Sequence, residues 1–158
     1  VADLTLSSSA YYAVAVTYQY IPVAPSYYPI TPTRVYDSRW SPAPAGVTVG
    51  VVTAPNSRVV SVADGRALSG GVITVPNVVP ANARAVTYNL TAVSTTPAGY
   101  LAITPGDAVS FSASAINWSM AGAIANGGVV PLDGSRNVKV WAGGGASGFI
   151  VDITGYYL

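Results

Sequence analysis

Several residue types that enzymes depend on are missing from this chain of 158 residues. It contains no histidine, no cysteine and no glutamate, and Lys139 is its only lysine. Ser-His-Asp and Cys-His nucleophile systems are therefore excluded, as are ordinary zinc sites. The six acidic residues are all aspartate, and most lie at predicted turns, where aspartate is favoured for backbone reasons. We therefore expect no catalytic residue, no metal and no cofactor; a pair of aspartates acting as a glycosidase is the only enzymatic alternative.

Charge is also scarce. Only 8% of the residues are charged and the net charge is +1, whereas charged residues make up about 25% of an ordinary soluble protein. Such a charge does not indicate a basic surface that would bind nucleic acid or an acidic membrane. Every apolar run is interrupted well short of about 18 residues, so no transmembrane helix is predicted.

The residues that are abundant favour β-structure. Valine, threonine, serine, glycine, tyrosine and proline dominate, and strong helix formers are rare. Short apolar segments alternate with turn signals, which is typical of a sandwich or a closed barrel. We predict an all-β fold, an antiparallel β-sandwich or jelly roll. Its predicted strands are 47–53, 57–62, 71–75, 83–93, 99–104, 108–118 and 123–130, followed by a final pair within 137–157.

The final pair is predicted to be an antiparallel hairpin. Residues 138–141 and 149–154 alternate with a period of two on either side of a glycine-rich turn. The turn, Gly143 to Gly148, formally matches GxGxxG, but it joins two strands and no helix follows to present amides to a phosphate. It is interpreted as a turn and not as a nucleotide site.

The first 33 residues differ from the rest, and we call residues 1–33 the N-terminal arm. Asp3 is its only charge. Tyr11 to Tyr20 alternates strictly and is predicted to be a strand. Four prolines then indicate an extended segment that is neither a helix nor a central strand: Pro22, Pro25, Pro29 and Pro32. Residues 34–158 are predicted to form the sandwich domain.

The arm is rich in tyrosine, whereas disordered tails are polar and poor in aromatics. It should therefore be buried, either against its own domain or against a neighbouring subunit, where tyrosine is a favoured contact residue. Trp141 shares a face with Lys139, which favours an exposed or interface position; Trp118 is assigned to the core. The candidate interface residues are Tyr11, Tyr12, Tyr18, Tyr20, Tyr27, Tyr28 and Trp141.

Asp37 lies between Arg34 and Arg39 in the chain. This pattern fits a structural ion pair that anchors a turn, and such pairs are common. An anion or sugar site is the functional alternative. The three tryptophans could also stack on sugars, so carbohydrate is retained as an alternative partner.

Six sequence pieces, in order, resemble a β-rich domain that recurs in actinobacterial secreted proteins and in virion proteins of phages that infect those bacteria. They cover about residues 34 to 157. They are RVYDSR at 34–39, VPANARAVTYNLT at 79–91, GYLAITPG at 99–106, SAIN at 114–117 with AN at 125–126, and VDITGYY at 151–157.

In that family the domain usually accompanies a larger protein, whereas here it follows only a tyrosine-rich arm. The resemblance therefore implies a small structural protein of the virion. We expect a capsid decoration protein on the capsid surface, a homo-oligomer and most simply a homotrimer, whose arm binds a neighbouring copy or the major capsid protein. The alternative is a tail-fibre or secreted cell-surface module that binds cell-wall carbohydrate.

Overall fold

The computed structural model describes residues 24–158, and this part of the chain is all-β. Its strands are β1 (Tyr27–Asp37), β2 (Val52–Thr53), β3 (Ser57–Ser61), β4 (Gly65–Arg66), β5 (Ile73–Val75), β6 (Ala85–Val93), β7 (Gly99–Pro105), β8 (Ile116–Trp118), β9 (Ile124–Pro131), β10 (Asn137–Gly143) and β11 (Ala146–Tyr157). The predicted strand Tyr11–Tyr20 lies outside the described residues. No helix occurs between residues 24 and 158, and so none is long and apolar enough to span a membrane.

The strands form two antiparallel sheets that pack face to face, as predicted for a sandwich. One sheet has the order β1-β11-β6-β9, with β2 added beside β11, and the other has the order β3-β10-β7-β8. The short strands β4 and β5 make a separate ribbon. Period-two alternation sends Val86, Leu90 and Val151 of the first sheet and Val138 and Val140 of the second into one core, where each is fully buried.

The prediction of a final hairpin is wrong. The strands β10 and β11 are consecutive, but β10 pairs with β3 and β7, whereas β11 pairs with β1, β6 and β2. The turn at Gly144 and Gly145 therefore carries the chain from one sheet to the other. Alternation predicted both strands correctly, but it contains no information about which strand lies beside which, because pairing is a long-range choice.

Several predicted strands are shorter in the structure. Residues 47–51 form an irregular loop before β2, and residues 71–72 form a turn before β5. Residues 106–115 also form a loop, so that only Ile116–Trp118 of the predicted strand 108–118 is extended. Phe111 in this loop contacts Tyr100 and Trp141, with ring centroids 6.0 and 5.4 Å away. Side-chain contacts of the loop replace the backbone ladder there, which local propensity could not indicate.

The proline-rich part of the arm is an edge strand where it is described. β1 begins at Tyr27 and includes Pro29 and Pro32, so the proposed boundary between residues 33 and 34 falls inside one strand. Edge strands tolerate proline because one side of the strand lacks a pairing partner. Tyr27 and Tyr28 are exposed at one side and pack at the other on Tyr157 and Tyr156 of β11, with ring centroids 5.0 and 5.4 Å apart.

Candidate functional site

The RVYDSR segment forms a compact ion-pair cluster at the end of β1. Asp37 is 2% exposed. Its carboxylate accepts hydrogen bonds from the backbone N–H of Arg39 (2.9 Å), from Nε and Nη2 of Arg39 (2.9 and 2.8 Å) and from Nη1 of Arg34 (3.1 Å). Four donors fill the carboxylate, leaving little capacity for a ligand. This is the geometry of a turn anchor, with Arg39 reaching out to solvent.

Arg34 links this cluster to the last strand. Its Nε and Nη2 donate to the two carboxylate oxygens of Asp152, at 2.9 and 3.2 Å. Asp152 lies beside Asn89 of β6 in the strand register. The segments RVYDSR, VPANARAVTYNLT and VDITGYY thus occupy the neighbouring strands β1, β6 and β11. A second contact joins two other matching pieces, because Nδ2 of Asn126 donates to the carbonyl of Ala115 at 2.7 Å.

Asp37 and Asp152 bind the same guanidinium group, but the surroundings of Asp37 are unfavourable for a glycosidase acid. A glycosidase needs one carboxyl whose pKa is raised so that it can act as a general acid. Burial by itself raises the pKa of Asp37, yet the hydrogen bonds and charges of Arg39 and Arg34 outweigh it and hold the pKa below its usual value. Both oxygens of Asp37 are also occupied. Among residues 24–158, no three acidic side chains gather as metal ligands.

Asp37 provides a pH-dependent prediction. Since its pKa is lower in the folded state, its contribution to stability is complete above the unfolded aspartate pKa of about 3.9 and is lost as the pH falls through the folded pKa. We expect Asp37→Asn to lower the free energy of unfolding by about 2 kcal/mol at pH 7, and the difference from wild type to shrink as the pH falls below the unfolded aspartate pKa. Urea unfolding from pH 7 to pH 2 measures this, with the exposed Asp107→Asn as control. A deficit that stays constant with pH would contradict the assignment.

The three tryptophans lie apart and each uses its indole N–H inside the domain. Trp40 donates to the carbonyl of Leu68, Trp118 to that of Thr96, and Trp141 to the hydroxyl of Thr104, at 3.2, 3.0 and 2.9 Å. Trp40 is the fully buried one, whereas Trp118 is half-buried at the margin of the core. Trp141 is also half-buried, between the ring of Phe111 and the ammonium of Lys139. Tyr100, Phe111 and Trp141 form an aromatic row, but their rings are tilted and do not form a flat platform.

Two comparisons with known proteins found no match. No protein-family model matches the chain, and no curated protein matches it either. The resemblance therefore rests on its motif residues alone.

The surface feature that the sequence did not reveal is an apolar groove where the arm joins the domain. Its volume is about 470 Å³. It crosses one end of the β1-β11-β6-β9 sheet, and its lining residues are Pro25, Arg84, Ala85, Val129, Pro131, Tyr157 and Leu158. We call these residues the exit groove. They come from four separated segments, so no local pattern could have predicted it.

The strand β9 forms one wall of the exit groove and is an open sheet edge. Between residues 24 and 158 it pairs only with β6, and it carries no charged side chain. Val129 is 56% exposed and Ile124 is 41% exposed. Of the candidate interface residues, Tyr27 and Tyr28 lie at the same end of the sheet, Trp141 lies on the other sheet, and Tyr11, Tyr12, Tyr18 and Tyr20 lie outside the described residues.

Proposed function

We propose that this chain is a non-enzymatic structural protein of a phage virion, a capsid decoration protein that attaches to the assembled shell through its N-terminal arm. The observation that carries the proposal is the position of the exit groove. Residues 1–23 of the arm connect to the described part of the chain next to Pro25, which lies in an apolar groove beside an open sheet edge. Grooves and edges of this kind bind extended polypeptide, with backbone hydrogen bonds providing affinity.

The rest of the surface supports a protein partner over a charged or small-molecule one. The β4–β5 ribbon and its turn expose Leu68, Val72, Ile73 and Val75, at 71, 67, 44 and 44%. Charged residues make up only 8% of the chain as a whole. Exposed apolar patches on a soluble protein commonly mark interaction surfaces. The motif resemblance is the reason for proposing a virion protein. The tyrosine-rich arm is the reason for proposing a homo-oligomer on the shell.

Binding only to the assembled shell would stabilise that shell by mass action. The expected result is that the full chain co-sediments with assembled capsids and raises their melting temperature, and that a chain lacking residues 1–23 does neither. The truncation ends before Pro25 so that β1, which begins at Tyr27, stays intact. Near-UV circular dichroism of the shortened chain serves as the control for folding.

Two outcomes would contradict the proposal. Capsid binding at unchanged affinity without residues 1–23 would remove the arm from the mechanism. Binding to purified cell-wall glycan, and none to capsids, would favour the carbohydrate-binding alternative. The observation that favours carbohydrate binding is the aromatic row Tyr100, Phe111 and Trp141.

A further inference from the structure

We infer that the open edge of β9 is the acceptor for the strand Tyr11–Tyr20 of a second copy of this chain, paired antiparallel. The inference rests on the proposed function, since it names the arm's partner within the assembly. It starts from three observations: an unpaired edge of eight residues, a groove leading to it, and a segment of 23 residues that joins the domain at that groove.

β9 is the most open edge within residues 24–158. The β8 edge has three residues and the β3 edge five. The β1 edge is longer, but two features obstruct it. Gly65 of the β4–β5 ribbon packs directly on Thr33. Ser26 and Leu158 donate backbone hydrogen bonds to each other, so the N–H of Ser26 points towards β11. In an antiparallel pair every second residue points the same way, and the nitrogen of Pro29 therefore points to the unpaired side of β1. Proline has no N–H, so it cannot donate a hydrogen bond to an added strand there.

β9 has none of these obstructions along its length. Its residues Ala125, Asn126 and Gly127 are exposed, and its only proline, Pro131, is the last residue. The side chain of Asn126 ties the strand to the facing sheet through the Ala115 carbonyl. The strand is thus held in place while one row of backbone groups stays unpaired. An edge of this kind, with no lysine and no internal proline, readily accepts another strand.

The direction of the strands selects a second copy as the donor. Tyr27, Tyr157, Ala85 and Pro131 lie side by side at one end of the sheet. A strand added to β9 would lie four spacings from β1, about 19 Å at about 4.8 Å each. The seven steps from Tyr20 to Tyr27 reach about 23 Å. Within one chain, Tyr20 therefore reaches only the Pro131 end of β9, and that pairing would be parallel.

Antiparallel pairing inside one chain would place Tyr20 at the Ile124 end, about 30 Å away from Tyr27 across the sheet, beyond the reach of the connection. Antiparallel pairs are somewhat more stable per residue, and every strand pair in the described part of the chain is antiparallel. A neighbouring copy has no such restriction. A head-to-tail contact of this kind forms a closed ring, such as a trimer, when the rotation between successive copies returns to the first copy.

Disulfide trapping tests the pairing cleanly because the chain has no cysteine. One set of full-length chains carries a single cysteine at positions 12 to 19 in turn; a second set carries Ala125→Cys or Val129→Cys. Mixing one chain of each set under mild oxidation is expected to give a disulfide between copies. In an antiparallel pair the residue numbers of one strand rise as those of the other fall. The arm position that cross-links most efficiently should therefore have a higher residue number with the Ala125→Cys chain than with the Val129→Cys chain.

The donor strand has its own matched variants. Val16→Pro in the arm removes a backbone donor from the middle of the predicted strand, and we expect at least a tenfold loss of cross-linking and a monomeric mass by light scattering. Ser8→Pro, outside that strand, should change neither.

Several results would overturn the inference. They are the absence of cross-links between the mixed chains, a reversed order of best positions, or no preferred position at all. The same chains are then sedimented with capsids. Loss of cross-linking with capsid binding intact would overturn this inference and leave the proposed function standing; specific cross-linking without capsid binding would do the reverse.

Discussion

Replacing Phe149 with alanine is expected to lower the free energy of unfolding by about 4 kcal/mol. The ring is completely buried near the start of β11, and it stacks on Tyr36 with centroids 4.7 Å apart. Truncation removes a large apolar side chain and leaves a cavity between the two sheets. The cavity cannot close, because backbone hydrogen bonds hold the strands of each sheet in place. Domains of this size are typically stable by about 5–15 kcal/mol, so the variant would be close to unfolding at 37 °C.

Phe111 provides the matched control, as the other phenylalanine of the chain. It lies half-buried in the loop before β8, over Trp141, outside the space between the sheets. We expect Phe111→Ala to cost about 1–2 kcal/mol. Guanidinium unfolding of both variants measures the difference. Equal losses would mean that the interior between the sheets is not the main source of stability.

The second large effect is expected at the turn that transfers the chain between the sheets. A Cβ at Gly145 would lie 2.5 Å from the carbonyl oxygen of Ala98 and would overlap Oγ1 of Thr96. The backbone there is fixed, since the carbonyl of Gly145 accepts from Ala54 N–H at 2.9 Å and Ala146 N–H donates to Oγ1 of Thr96 at 3.1 Å. We expect Gly145→Val to cost about 3 kcal/mol through overpacking.

Gly134→Ala is the control for this variant. No atom lies within 4 Å of a Cβ built at Gly134, and its backbone is not in the left-handed region. It should change the free energy of unfolding by less than about 0.5 kcal/mol. A Gly145→Val variant as stable as wild type would show that the turn accommodates a side chain, as a simple surface hairpin does. The outcome thus also tests the sheet crossing.

The distinction between a hairpin and a sheet crossing affects the whole fold. If β10 and β11 were a hairpin, Ser147 and Phe149 would share a sheet with Trp141. Instead β11 becomes a central strand between β1 and β6, and β10 becomes a central strand of the other sheet. In the first sheet β9 lies at an edge, because among residues 24–158 it pairs only with β6.

The sequence by itself determined the class of the fold. Missing helix formers, period-two alternation and turn residues are local properties, and they predicted an all-β sandwich and the strand β6 to within two residues. The sequence also predicted an ion pair between Asp37 and its neighbouring arginines, since Arg34 and Arg39 lie only three and two residues away in the chain. The absence of histidine, cysteine and glutamate excluded Ser-His-Asp and Cys-His nucleophile systems and ordinary zinc sites.

Only the tertiary structure decided which strands are neighbours. Alternation specifies the face on which a side chain lies, but it is the same for a hairpin and for two strands in opposite sheets. The partnership of Arg34 with Asp152, 118 residues away in the chain, follows from the pairing of β1 with β11. The exit groove and the open edge of β9 likewise arise from segments distant in sequence. These features depend on long-range burial and on how the chain closes its loops, which short windows of sequence do not encode.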